Sequence, residues 1–144
     1  MKVDFYVLEE AHKQQSLRFV CQLIETCYVN QEHIYVYAAS QEEAYALDDL
    51  LWTVSDDGFI PHHLDHPYID CHSPIHIGEG ICPNSFQGVF FNLHHTLPLT
   101  LNVIRLVEIV FCHPTMQQLA RERYKQYRDQ GRDITTYKIK SSDL

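Results

Sequence analysis

Residues Leu119 to Arg132 read LARERYKQYRDQGR, and five of the chain's eleven Lys and Arg residues lie within them: Arg121, Arg123, Lys125, Arg128 and Arg132. At about 100° per residue on a helix, Arg121, Tyr124, Lys125 and Arg128 are spaced i, i+3, i+4, i+7 and share one arc. Met116, Leu119, Ala120, Arg123 and Tyr127 fall on the neighbouring arc, which reads as the core-facing stripe. Arg123 therefore drops out of the exposed set. Three cations and one aromatic on a single face suit an anionic group. The guanidinium fork matches a carboxylate two bonds at a time, and the tyrosine ring offers a wall for an apolar or aromatic side chain. The plainer reading is a solvated surface helix with cations favoured near its C-terminal end.

The rest of the chain sharpens that choice. Its formal net charge is −8, and residues 1–120 hold four basic and fifteen acidic residues against seven and four in residues 121–144. An acidic body repels a polynucleotide backbone, whereas a local basic face attracts a small anion. A duplex-binding role is disfavoured, and so is direct single-strand binding through the Arg/Tyr helix.

The turn after the first apolar run is Leu8-Glu9-Glu10-Ala11-His12, with two carboxylates and no glycine, so it would repel the phosphate that a parallel α/β sheet commonly holds there. Gly78-Glu79-Gly80 has Pro83 in place of the third glycine, and no Walker A sequence occurs. His62, His63, His66, Cys71, His72 and His76 crowd into fifteen residues. They lack the tight ligand pair of a zinc site and lie in a loop bracketed by Pro61 and Pro67; if a metal were held there, zinc would be the ion. No G-x-S-x-G elbow is present. The neighbouring carboxylates Asp48-Asp49 and Asp56-Asp57 do not converge on one helix face. A small nucleotide- or metal-dependent enzyme is the alternative from another class, but no cofactor is expected.

The apolar counterpart of the basic helix is LWTVSDDGFIPHHL, Leu51 to Leu64. Trp52, Phe59 and Ile60 lie around a turn and before a loop, where large apolar groups are often part-exposed and can dock a protein.

The elements that must position these groups are legible as periodicities. VDFYVL (3–8), HIYVYAA (33–39), PIHIG (74–78), GVFFNL (88–93) and VIRLVEIVF (103–111) read as strands, with ITTYKIK (134–140) as a last edge strand. Helices are expected over 13–29, over about 41–52 behind a Ser40/Glu43 capping box, and from Pro114 to Gly131. Strands alternating with helices predict an α/β fold: a single-domain, Rossmann-like, mixed but mostly parallel sheet flanked by helices, spanning 1–144. The 45% hydrophobic composition with nine Tyr and seven Phe is that of a globular chain. No apolar run reaches membrane-span length, and Met1-Lys2-Val3-Asp4 opens a strand pattern rather than a signal peptide. Five cysteines without regular spacing read as reduced thiols, and a cytoplasmic location is expected.

FYVL (Phe5–Leu8), QEEAYALDDLLW (Gln41–Trp52), FIPH (Phe59–His62) and above all QLARERYKQYRDQG (Gln118–Gly131) together resemble the chi subunits of bacterial DNA polymerase III, and the resemblance covers nearly the whole chain. It implies a Rossmann-like fold without an active site of its own, in a non-catalytic adaptor of the polymerase III holoenzyme. The implied partners are the psi subunit, bound one-to-one and tethering the protein to the clamp loader, and the acidic C-terminal tail of single-stranded DNA-binding protein. A repair helicase is a further partner the resemblance leaves open, at replication forks near the nucleoid. Carried over by position, Arg121, Tyr124, Lys125 and Arg128 form the tail site, and Phe59 and Ile60 with Trp52 lie in the psi contact. Family members often carry another lysine where this sequence has Gln117, so a less charged tail site is expected. The His-rich residues 62–76 match no motif of the family.

Overall fold

The computed structural model describes residues 2–9, 12–30, 32–52, 62–64, 75–78, 88–94 and 103–140. Phe59, Ile60, the Asp56-Asp57-Gly58 turn, His66, Cys71, His72 and most of the Gly78-Glu79-Gly80 segment lie outside them. Among these residues the chain forms β1 (Lys2–Glu9), α1 (Lys13–Val29), β2 (Ile34–Tyr37), α2 (Gln41–Leu51), β3 (His62–Leu64), β4 (Ile75–Gly78), β5 (Val89–Asn92), β6 (Arg105–Val110), α3 (Pro114–Asp129) and β7 (Asp133–Lys140). The strands make one sheet in the order β3-β4-β2-β5-β6-β1-β7. The expected α/β architecture is present, and every described pairing is parallel. One short strand was not legible. Residues 61–73 read as a loop, yet His62–Leu64 pairs with β4 at the sheet edge. Three residues are too few to show an alternation.

Strand alternation sorts the buried side chains onto two faces. On β6, Val107 and Ile109 join a core with Leu17, Val20, Cys21 and Ile24 of α1 and Ala44, Leu47 and Leu51 of α2. Leu106 and Val110 point the other way, into a smaller core with Val3 and Phe5 of β1 and Ala120 and Tyr127 of α3. Helices α1 and α2 thus cover one face while α3 packs on the other, against β6 and β7. At about 1.5–3 kcal/mol for each fully buried aliphatic or aromatic side chain, apolar burial dominates both faces.

The helix ends follow local chemistry. Ser40 Oγ accepts the Glu43 N–H at 3.1 Å, while Glu43 reaches back one residue further than a capping box requires, accepting the Ala39 N–H at 3.3 Å. Pro114 begins α3, and His113 Nδ1 accepts the Thr115 N–H at 3.3 Å. At the other end Gly131 has φ of +72°, with Gly131 N–H donating to the Arg128 carbonyl and Arg132 N–H to that of Tyr127. That pair of bonds is a Schellman cap, which satisfies two end carbonyls and needs a left-handed residue in the place of Gly131.

Candidate functional site: a basic groove beside helix α3

The crossover from β6 to β7 carries α3 back over β1, so the helix runs opposite to the strands beneath it. Tyr127 and Ala120 sink into the sheet-side core, and Arg123 is buried with them. Arg123 Nε lies 2.6 Å from Glu108 Oε2, and the Tyr127 hydroxyl donates to the same oxygen at 3.0 Å. Asn92 Nδ2 donates to the other carboxylate oxygen, Oε1, at 2.6 Å. Glu108 is wholly buried, and donors from α3 and β5 satisfy both of its oxygens. Burial, then the Glu108 charge, raise the Tyr127 pKa well above its ordinary value. The sequence reading of Arg123 as core-facing holds. Its partner Glu108 lies within the apolar run VIRLVEIVF, where nothing in the local sequence marks its role.

With that stripe anchored, the adjacent arc faces a groove of about 620 Å³. Arg121, Tyr124, Lys125 and Arg128 all line it, so the structure brings together the four residues picked out by spacing. Phe5, Val7, Val110 and Ala120 make the apolar floor. The Tyr124 ring stands 5.6 Å from that of Phe5 at 59°, a tilted contact that holds it at the groove while leaving it 37% exposed. Arg121 and Lys125 make no ion pair among the described residues. Arg128 approaches only its exposed neighbour Asp129, at 3.9 Å, which neutralises little of its charge. The groove therefore offers an apolar floor, an aromatic edge and available cations, the complement of an acidic peptide with an apolar or aromatic residue.

Sequence reasoning missed the floor and the far wall. Thr136 and Lys138 of β7 line the groove, as do Gln117, Gln118, Glu122 and Glu9. Register explains the wall: Thr136 pairs with Phe5 and Lys138 with Val7, so they share the face that those floor residues occupy. Alternation along β1 and β7 could have given this only with the pairing known.

Of the residues expected at a second protein contact, Trp52 ends α2 and is 51% exposed. Tyr45, seven positions earlier on the same helix and equally exposed, had not been singled out. Phe59 and Ile60 lie outside the described residues.

A second cavity, of about 420 Å³, opens above the C-terminal strand ends between Lys13, Ser16, Leu93, Phe111 and Met116. Parallel α/β sheets commonly take ligands at such an end. Here the lining cation is already engaged: Lys13 Nζ is 2.8 Å from Glu43 Oε2 and 3.7 Å from the centre of the Phe111 ring. Among the described residues no three His, Cys, Asp or Glu side chains converge to hold a metal ion. No described helix is long and apolar enough to cross a membrane.

Comparison with known proteins agrees with the residues. A family model described as "DNA polymerase III chi subunit, HolC" matches residues 1–135. The DNA polymerase III subunit chi of Pseudomonas aeruginosa is 30% identical over 139 residues, covering 96% of each chain. Those of Haemophilus influenzae and Escherichia coli are each 25% identical over 138 residues, covering 94% and 92% of this chain and 96% and 94% of theirs. Among solved structures, that of T4 UvsW aligns with a TM-score of 0.70 at 9% identity, over 97% of this chain and 42% of that one, a likeness of fold alone. The chain belongs to the DNA polymerase III chi subunit family.

Proposed function

We propose that this protein is a non-catalytic adaptor of the DNA polymerase III holoenzyme, built as one chi-like domain over residues 1–144 and working in the cytoplasm at replication forks. Its basic groove binds the acidic C-terminal tail of single-stranded DNA-binding protein. Arg121, Lys125 and Arg128 face the tail's aspartates, and Tyr124 lies beside its aromatic end. The region of Trp52, Phe59 and Ile60 binds the psi subunit, which joins the protein to the clamp loader. The observation that supports this reading most is the convergence of the four residues on one groove with an apolar floor, in a chain of the chi family. Linking two contacts on one body raises effective concentration, so the tail site need not be tight. Because the cations are exposed, tail binding weakens with salt.

Titration of the tail peptide against the wild type and Arg128→Ala tests the assignment. A loss of about two- to fivefold in affinity is expected, the range for an exposed ion pair. Equal affinities would remove the helix face from the site.

A further inference from the structure

The groove has two walls, and only one of them is the helix. We infer that Lys138 of β7 is a specificity-determining residue of the acidic-peptide site: it faces Arg121 across the groove, so that one carboxylate of the peptide is held between a strand cation and a helix cation. The inference rests on the groove being a peptide site, and it adds a residue that neither helical spacing nor the family match supplies. Lys138 lies beyond residue 135, where the match to the family model ends.

Its place along the groove follows from element geometry. Phe5 makes ring contacts with both Tyr124 and Tyr127, which places it level with the turn of helix between them. Two residues along a strand advance about 6.6 Å, which is about four and a half residues of helix. Because α3 runs opposite to β1, Val7 lies level with Ala120 and Arg121. Lys138 is the register partner of Val7 and lines the same cavity, as does Arg121. Another two strand residues lead to Glu9, level with Gln117. The helix offers no charge at that level, and the strand offers a negative one.

The charges are thus graded along the axis. Lys125 and Arg128 lie towards the C-terminal end of the helix, Arg121 and Lys138 oppose each other midway, and Glu9 closes the far end. The one carboxylate between them in the lining, Glu122, accepts a hydrogen bond from Gln118 Nε2 at 3.5 Å. Lys138 is exposed and makes no ion pair among the described residues, so its ammonium is available to a ligand. An ammonium on a flexible stem and a planar guanidinium on the opposite wall can engage the same carboxylate from two sides. Glu9 repels a carboxylate placed further along, which limits the acidic stretch to the part of the groove between Lys138 and Arg128. The recognised chemistry is a peptide with a short, bounded run of acidic residues rather than an extended polyanion.

The test uses the full chain and a synthetic peptide of the C-terminal tail of the organism's single-stranded DNA-binding protein, with calorimetric titration at two salt concentrations. Lys138→Ala should weaken binding about two- to fivefold and flatten its salt dependence, with Lys138→Arg restoring both. A cycle of Lys138→Ala against Asp→Asn at each tail position should couple to one position, the same one that couples to Arg121→Ala. Since β7 is a sheet edge and Lys138 is exposed, the thermal midpoint should not move. Glu9→Gln should tighten binding. If Lys138→Ala binds like the wild type while Arg121→Ala and Arg128→Ala weaken binding, the strand wall is wrong and the groove stands. If the helix variants also bind like the wild type, or the wild type does not bind the peptide, the groove reading falls and the inference with it.

Discussion

Two carboxylates on opposite faces of the sheet each sit 2.6 Å from an arginine Nε, and they are treated differently. Asp4 on β1 meets Arg105 of β6 beneath α1, and its Oδ1 is buried without a hydrogen-bond partner among the described residues. Glu108 on β6 has both oxygens satisfied, by Arg123 and Tyr127 of α3 and by Asn92 of β5. The first pair joins strand to strand, where parallel ladder bonds already fix the geometry. The second joins the sheet to a helix that has little apolar surface to give. α3 buries Ala120, Arg123 and Tyr127, whereas α1 buries Leu17, Val20, Cys21 and Ile24 among others. A helix whose outer arc is cationic can be docked by a saturated buried carboxylate in place of a wide apolar stripe. Two directional bonds to one carboxylate also fix the helix's rotation, and hence where Arg121, Tyr124, Lys125 and Arg128 point.

The strongest way to break that contrast is Glu108→Ala. It takes a buried carboxylate away from Arg123, Tyr127 and Asn92, all three of which donate to it, and should cost about 3–5 kcal/mol in urea unfolding. Asp4→Ala should cost clearly less, because one oxygen is already unpartnered and Arg105 can turn to solvent. Equal losses would show that saturation does not distinguish the faces.

Alkaline titration sharpens the same contrast. Burial pushes the Cys21 thiol up to about 12 and, with Glu32 adding to it, the Cys27 thiol up to about 11, both on the α1 face. The folded state keeps these protons while the unfolded chain releases them above about pH 9, so their stabilisation is whole below pH 9 and is lost as pH rises. Each thiol should cost about 1.4 kcal/mol per pH unit between 9 and 11. Tyr127, on the α3 face, is also raised and begins to act only above about pH 10. Between pH 9 and 10 the decline should therefore belong to the α1 face. A Cys21→Ala, Cys27→Ala double variant should be flat there; an unchanged slope would refute the assignment.

The smallest expected effect is at the cap that ends α3. A Cβ on Gly131 would meet nothing within 4 Å, so the cost of Gly131→Ala is conformational, about 1 kcal/mol for a left-handed non-glycine residue. A larger loss in thermal unfolding would mean that the cap also secures the turn from α3 into β7.

The sequence was most informative where geometry is local. Helical phase alone separated Arg123 from Arg121, Tyr124, Lys125 and Arg128, because the angle between residues is a property of the helix itself. Ser40, Pro114 and Gly131 marked helix ends for similarly local reasons. What stayed hidden depends on pairing across the chain. Glu108 is one charged residue in the apolar run of β6, and only α3 and β5, brought in by the fold, supply its partners. Lys138 and Thr136 looked like an ordinary edge until their register with β1 placed them over Val7 and Phe5. Trp52, read as a part-exposed aromatic, is exposed, while Phe59 and Ile60, read in the same way, lie outside the described residues.

The parallel seam between β1 and β7 has a mechanical consequence. Lys2 to Glu9 are in register with Asp133 to Lys140, eight consecutive pairs along the groove axis. A pull along that axis loads the seam in shear, so its hydrogen bonds share the force. A pull outward from the edge peels them one after another. The far wall should resist drag along the groove much better than it resists being lifted away.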